Sequence, residues 1–375
     1  KNKVDLSIFD DATPLRCKTM MSLLSRHIGL TVFSAIGLSL VAIVGLDVIA
    51  GIIDQIGDIK NNYSFADVLI YVVTKLPSTI YEYIPLSCLI GCLVGLGILA
   101  NHSEVVVMRA SGVSLLRILS HVLKPVLIFI LLGTVIGEYF SPYLDQLADS
   151  RRDYLRKGES GLDTASGFWK REGNEYMHFN AVFPGGVLFG VTRFQFDDNR
   201  RLIETSFSSR ATYNATDDYW VEENVSSTTF SKQSTDEHKF ITRQWFTELT
   251  PEVLTLNILP ADSLSIRTLY EYIDFLEQRN SDAASYKLAF WDKVLHPFAV
   301  IGLVLVGISF VFGPLREATM SYRVFVGVLF GISFRLVQDM LGPLSIVFNI
   351  FPIIAVLVPI ILCAVLGAYL LKRSG

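Results

Sequence analysis

The sequence predicts a membrane α-helical protein with six transmembrane helices and an all-β domain inserted between the third and the fourth. Three observations carry this. Hydrophobic residues make up 51% of the 375 and mean hydropathy is +0.44, while charged residues are only 18%, against about 25% in ordinary soluble domains. The apolar residues are concentrated before Gly137 and after Lys293. Between those blocks the pattern switches to short alternating runs, the period of half-buried strands.

A bilayer core takes about 20 apolar residues. Ile28 to Ile53 meets that with one charge, Asp47. Ile84 to Ala100 is uncharged, and its helix is expected to begin near Leu69, beyond Lys75 and Glu82. Gly91, Gly95 and Gly97 would let another helix approach closely. The third span covers roughly Leu116 to Pro142. Val294–Phe312, Val324–Leu341 (with Arg335 and Asp339) and Phe351–Leu371 are the fourth to sixth. Residues 1–20 precede Met21, start at Lys1 and lack the apolar core of a signal peptide; they read as an N-terminal extension, outside the fold reading.

Residues 150–262 read as the β domain. FWKREGNEYMHFNAV, VLFGVTRFQF, YWVEENVSSTTF and FITRQWFTEL are aromatic, β-branched and alternating, separated by Gly-Gly (185–186), Asp-Asp-Asn (197–199), Asp-Asp (217–218) and Ser-Thr-Asp (234–236). Strands at this spacing indicate a sandwich or barrel. Asp262 or Ser263 is then expected to cap a helix, LSIRTLYEYIDFLEQRN, with Leu264, Leu269, Ile273 and Leu276 as its apolar stripe. Residues 263–375 thus hold a linking helix and three spans, and residues 21–149 the first three.

Basic residues near span ends set orientation. Arg16, Lys18, Arg26, Arg109, Arg117, Arg316, Arg323, Lys372 and Arg373 all fall on one side of a six-span arrangement. That side is cytoplasmic, with both termini; the β domain is on the other. A net charge of −4 gives no reason to expect nucleic acid. The cysteines (Cys17, Cys88, Cys92, Cys363) supply no disulfide framework for the β domain, and no CxxC or HExxH motif suggests zinc. No GxxxxGK[ST] motif suggests ATP binding and no GxSxG motif suggests hydrolysis. No cofactor is expected in this chain.

Three sets of residues are candidates for chemistry. NHSEVVVMRASGVS (101–114) is a polar, helix-length piece between two apolar runs, with Glu104 and Arg109. It is either a solvated loop or a short helix, stopped at Gly112, whose Val105, Val106, Val107 and Met108 dock on something. Asp47, Arg335 and Asp339 are charges inside spans, which are costly. By residue count from the non-cytoplasmic ends all three lie in the outer half of the bilayer. Arg335 and Asp339, at i and i+4, either pair with each other or line a path for an amphiphile with a charged head. Arg151, Arg152 and Lys157 close the third span as interfacial anchors or as phosphate contacts. The Asn-x-Ser/Thr patterns at Asn62, Asn214 and Asn224 read as chance matches.

LGILANHSEVVVMRASGVS, IGEYFSP, SGFWKREGNEY, LSIRTLYEYI, SFVFGPLRE and QDMLGPLSIVFNIFPII, together with the order of three spans, β domain and three spans, resemble the LptF/LptG permeases of lipopolysaccharide export. The resemblance implies a Gram-negative inner-membrane protein with a periplasmic jelly-roll-like domain, in a heterodimer with an LptF-like permease. An LptB-like ATPase dimer, which binds the ATP, would dock in the cytoplasm, and an LptC-like membrane-anchored β-jelly-roll protein would receive the lipopolysaccharide. It makes 101–112 the coupling helix, with Ser103, Glu104, Val105, Val106, Met108 and Arg109 toward the ATPase. It places the first and fifth spans at lateral gates, with Asp47, Arg335 and Asp339 on or near the substrate cavity. The family often carries a lysine cluster at the outer end of the first span. Here that stretch is GIIDQIGDIK, with Asp54, Asp58 and the single Lys60. Phosphate contact is therefore expected to rest on Arg152, Lys60 and the partner, with Arg151 and Asp54 nearby. Two other readings compete: a membrane enzyme acting on an outer-leaflet lipid, for which Asp47, Asp54 and Asp339 would be the titratable cluster, and the permease of another lipid or lipoprotein exporter.

Overall fold

The structure is a computed structural model that describes residues 13–59, 62–157, 168–183, 186–231, 234–251, 254, 261–278, 282–313 and 318–374. Lys60 and Arg316, and the side chains of Arg16, Cys17, Lys18, Val106 and Lys157, lie outside that description, as do residues 1–12 of the N-terminal extension.

Among the described residues six helices are long and apolar enough to cross a membrane, three before and three after a six-stranded antiparallel sheet. The predicted class therefore holds. The helices before the sheet are α1 (Thr13–Ile56), α2 (Phe65–Asn101), α3 (Glu104–Ala110), α4 (Leu115–Val135), a π-helical turn (Ile136–Phe140) and α5 (Ser141–Lys157). The strands are β1 (Phe168–Glu172), β2 (Glu175–Phe183), β3 (Val187–Phe196), β4 (Leu202–Asn214), β5 (Tyr219–Phe230) and β6 (Thr235–Trp245). After them come α6 (Ile266–Gln278), α7 (Ala284–Phe312), α8 (Met320–Val347) and α9 (Pro352–Ser374).

Two helix starts differ from expectation, each for a local reason. α2 begins at Phe65 rather than near Leu69. The Asp67 carboxylate accepts the backbone N–H of Ser64 (3.1 Å) and the Ser64 hydroxyl (2.7 Å), which satisfies the first turn. α6 is capped by Ser265, not by Asp262 or Ser263. The Ser265 hydroxyl accepts the Thr268 N–H at 3.1 Å, and residues 261–263 form a 3₁₀ turn instead. The π turn has its own cause. Pro142 lacks an N–H and its ring crowds the carbonyl four residues back, at Glu138, so the helix widens there by one residue.

The described residues divide into two compact units: those within Lys1–Leu46, Thr79–Ile136 and Glu277–Gly375, and those within Asp47–Ser78 and Gly137–Leu276. The first unit has a core built from α1, α2, α4, α7, α8 and α9, with Leu89, Leu93, Val122, Val300 and Val304 fully or almost fully buried. Lipid tails are as apolar as leucine, so close packing rather than escape from water holds such helices together. Gly91 shows the fit. A Cβ there would lie 2.4 Å from the Cα of Ile36 on α1, so the two backbones touch as the glycine pattern predicts.

In the second unit the sheet is a sequential meander, β1 to β6, every neighbour antiparallel. Met177, Phe179, Leu188, Val191, Ala211, Trp220 and Trp245 form its core, each large side chain contributing about 1.5–3 kcal/mol by leaving water. The Trp220 indole N–H donates to the Leu249 carbonyl at 2.7 Å. Gly190 (φ 60) on β3 and Asn224 (φ 53) on β5 both stand opposite Ser209 of β4. The left-handed residues interrupt the ladder along one line across three strands. Asn224 donates to the Ser209 hydroxyl at 3.3 Å, so its Asn-x-Ser pattern is part of that irregularity.

Candidate functional site

Three groups of polar side chains stand out. The first surrounds α3. Ser103 (φ 59) breaks the chain away from α2. Val113 N–H then returns to the Met108 carbonyl (3.1 Å) and Gly112 N–H (φ 86) to the Arg109 carbonyl (3.0 Å). This pair of bonds is the Schellman closure, which needs a residue tolerant of positive φ at 112. Val105 and Met108 are buried in the core of the first unit; they anchor the helix and are not available on its outer face. Ser103, Val107, Arg109 and, in part, Glu104 face outward, and Val107 is 62% exposed. Glu104 has a partner within the chain: His27 on α1, with Nε2 2.9 Å from the carboxylate. Val107, one of the four apolar residues expected to dock, stands outside the set that the resemblance points toward the ATPase, as does His27; both positions depend on how the helix is rotated.

The second group lies on α2 and α8. Arg335 Nε donates to both oxygens of Asp339 (3.1 Å each), so these two pair as their i, i+4 spacing allows. Arg335 Nη2 also donates to Glu82 at 2.8 Å. Glu82 was legible only as a charge near the start of the second span.

The third group joins α2 to α5 in the second unit. Arg152 donates to the Tyr71 hydroxyl (2.9 Å), packs its guanidinium 4.9 Å from the Tyr71 ring centroid and lies 3.6 Å from Asp149. The Tyr71 hydroxyl donates to Asp149 (3.0 Å), and Lys75 lies 3.2 Å from the same carboxylate. Arg151 pairs with Asp67 (3.0 Å) and Arg156 with Asp58 (3.1 Å). Asp145 accepts from Ser78 and, at 3.0 Å, from Ser141. A cavity of about 80 Å³ opens beside Asp67, Tyr71, Arg151 and Arg152. Tyr63 closes one wall; its hydroxyl has no hydrogen-bond partner among the described residues, and burial pushes its phenol above the usual range.

The expected site residues are thus distributed. Glu104, Val105, Met108 and Arg109 share α3, and Ser103 precedes it as the N-cap. Arg335 and Asp339 meet on α8. Arg151 and Arg152 are on α5, and each already holds a carboxylate. Asp47 and Asp54 are on α1, in the part assigned to the second unit, and Asp54 is exposed. Lys60 is outside the description. Among the described residues no cluster of His, Cys, Asp or Glu is placed to hold a metal ion.

Two blocks of three membrane-length helices around a β insert make this a multi-pass membrane protein with an inserted β domain. Comparison with known proteins agrees. The family described as lipopolysaccharide export system permease LptF/LptG matches residues 26–373. The chain is 33% identical over 355 residues to the lipopolysaccharide export system permease protein LptG of Escherichia coli strain K12, covering 94% of this chain and 98% of that one. It is 31% identical over 356 residues to the protein of the same description from Haemophilus influenzae, covering 95% and 99%. The chain belongs to the LptF/LptG family of lipopolysaccharide export permeases. It is a multi-pass membrane transporter subunit rather than an enzyme.

Proposed function

We propose that this chain is one permease subunit of an ATP-driven exporter that takes lipopolysaccharide from the outer leaflet of a Gram-negative inner membrane and passes it toward a periplasmic bridge. An LptF-like permease completes the membrane pathway. An LptB-like ATPase dimer binds the ATP and docks on the cytoplasmic side, where both termini lie. The β domain is periplasmic and hands the lipid to an LptC-like protein. The family match across both membrane blocks and the insert carries this reading.

Residue roles follow within this reading. α3 is fixed to the membrane core by Val105 and Met108 and offers Ser103, Val107, Arg109 and Glu104 outward. A push on a short helix anchored in this way moves the packed helices beneath it as a body, as rigid-element coupling requires. Arg151 and Arg152 on α5, and Arg335 and Asp339 on α8, are the charged groups toward the lipid headgroup, with Asp47, Asp54 and Lys60 on the first span and its outer end.

The test is purification of the tagged chain from native membranes, with mass spectrometry of co-purified protein and lipid. The expected result is an ATPase, a second permease and lipopolysaccharide. A chain that arrives without an ATPase and turns over a lipid by itself would instead be the membrane enzyme.

A further inference from the structure

Arg335, Glu82 and Asp339 meet near mid-length of two membrane-crossing helices. Their side chains are 48%, 45% and 57% exposed on the chain's own surface. A charge set against hydrocarbon is costly, so this face looks onto water, a polar headgroup or protein rather than lipid tails. Two carboxylates on one guanidinium give the group a net charge of −1 when all three are ionised. In this arrangement it repels an anion. Without Glu82 the Arg335–Asp339 pair is neutral, and the Nη2 group that Glu82 holds is open, beside Nη1 at the end of the guanidinium. A guanidinium edge accepts a phosphate in the same forked geometry as a carboxylate.

The packing around Glu82 does not depend on its charge. Next to it, Tyr81 stacks on His296 of α7 with ring centroids 4.4 Å apart. One turn before Arg335, Gly331 on α8 sits so close to α2 that a Cβ would lie 2.3 Å from Leu86 Cδ1. These contacts hold α2 in place whether or not the ion pair is made.

We propose that Glu82 is a removable occupant of Arg335: it holds the guanidinium while no substrate is present and yields it to the phosphate of an entering amphiphile. The exchange unties α8 from α2 at that one ion pair and leaves the neighbouring packing as it is. Glu82 is a positioning residue in this scheme, and the phosphate-bearing headgroup is the ligand. The inference rests on the lipid-export reading above.

The experiment measures retention of lipid A, in its phosphorylated and dephosphorylated forms, by the purified complex carrying Glu82→Gln, Asp339→Asn or Glu82→Gln/Arg335→Gln. Glu82→Gln is expected to raise retention of the phosphorylated form by roughly twofold to fivefold, the effect of one screened charge, and to leave the dephosphorylated form unchanged. Asp339→Asn, which lowers the same charge but leaves Glu82 on Arg335, is expected to give a smaller gain. The double variant is expected to lose the gain. Equal gains in Glu82→Gln and Asp339→Asn, a gain for both lipid forms, or no gain would overturn the exchange. Should Glu82→Gln not assemble, the charge swap Glu82→Arg/Arg335→Glu decides. Restored assembly without restored phosphate preference supports the exchange, and restoration of both makes the pair purely structural. Wild-type complex that retains lipid while Glu82→Gln gains nothing sinks the exchange alone. Wild-type complex that retains neither lipid nor ATPase sinks the export reading with it.

Discussion

The Glu138 carboxylate accepts the backbone N–H of Ile266 at 2.8 Å and that of Arg267 at 3.3 Å. The carboxylate stands in the π turn, and the amides open α6. A carboxylate at a helix N-terminus satisfies orphan donors and faces the positive end of the helix dipole. The segment entering the β domain is thereby tied to the helix leaving it. Glu138→Ala should cost about 1 kcal/mol, seen as several-fold faster hydrogen exchange at residues 266–269. Glu138→Gln, which keeps an acceptor, should lie between. Unchanged exchange in Glu138→Ala would remove the clasp.

Gly91 lies on the α1–α2 contact and Gly29 of α1 lies off it. The Gly91 position meets backbone of Ile36, which cannot move aside, whereas a Cβ at Gly29 meets nothing within 4 Å. Gly91→Ala should destabilise by about 1–3 kcal/mol through overpacking, and Gly29→Ala should be silent. Thermal unfolding of the two variants in the same detergent distinguishes them; equal melting points would contradict the packing.

Arg152 and Arg151 are neighbours with unequal surroundings. Arg152 is largely buried and bonded to Tyr71 and Asp149, while Arg151 is about half exposed and, among the described residues, pairs with Asp67. Arg152→Ala should therefore cost about 1–3 kcal/mol, and Arg151→Ala about 0.5 kcal/mol or less. Tyr71→Phe should reproduce part of the Arg152 loss. The order of melting temperatures checks this, and a larger loss in Arg151→Ala would reverse it.

Glu222 is fully buried between Arg193 (3.0 Å) and Arg243 (3.5 Å) in the β domain. Removing one partner of a buried ion group strands the other charges, typically at about 3–5 kcal/mol. Glu222→Gln should accordingly speed hydrogen exchange throughout β5 and β6 while leaving the membrane helices unaffected. Exchange confined to the mutated residue would show that the cluster contributes little.

Much of this was legible in the sequence, for identifiable reasons. Spans are long apolar runs, and a run such as Ile28–Ile53 needs no tertiary information to be read. β3 and β5 match the alternating stretches at Val187–Phe196 and Tyr219–Phe230. β4 (LIETSFSSRATYN) was not singled out because its inward residues include Ser206 and Ser208, which are buried without being apolar. Site residues were legible as types rather than as partners. That Glu82 meets Arg335 across 253 positions, or that His27 meets Glu104 across 77, depends on helix rotation and packing, which no local pattern encodes. Val107 follows the same rule: four apolar residues in sequence stand on α3, and only the fold decides that this one faces out.

In the proposed exporter α3 passes ATPase motion to the membrane helices through its outward face, with Glu104 as its charged contact. The most direct measurement is ATP hydrolysis and lipopolysaccharide release in the same proteoliposomes, comparing wild type with Glu104→Arg and Val107→Asp. Both variants are expected to insert normally but lose release by at least tenfold, the equivalent of about 1.4 kcal/mol of coupling, because the reversed charge at 104 and the new carboxylate at 107 each break the contact. Wild-type release from both variants would contradict it.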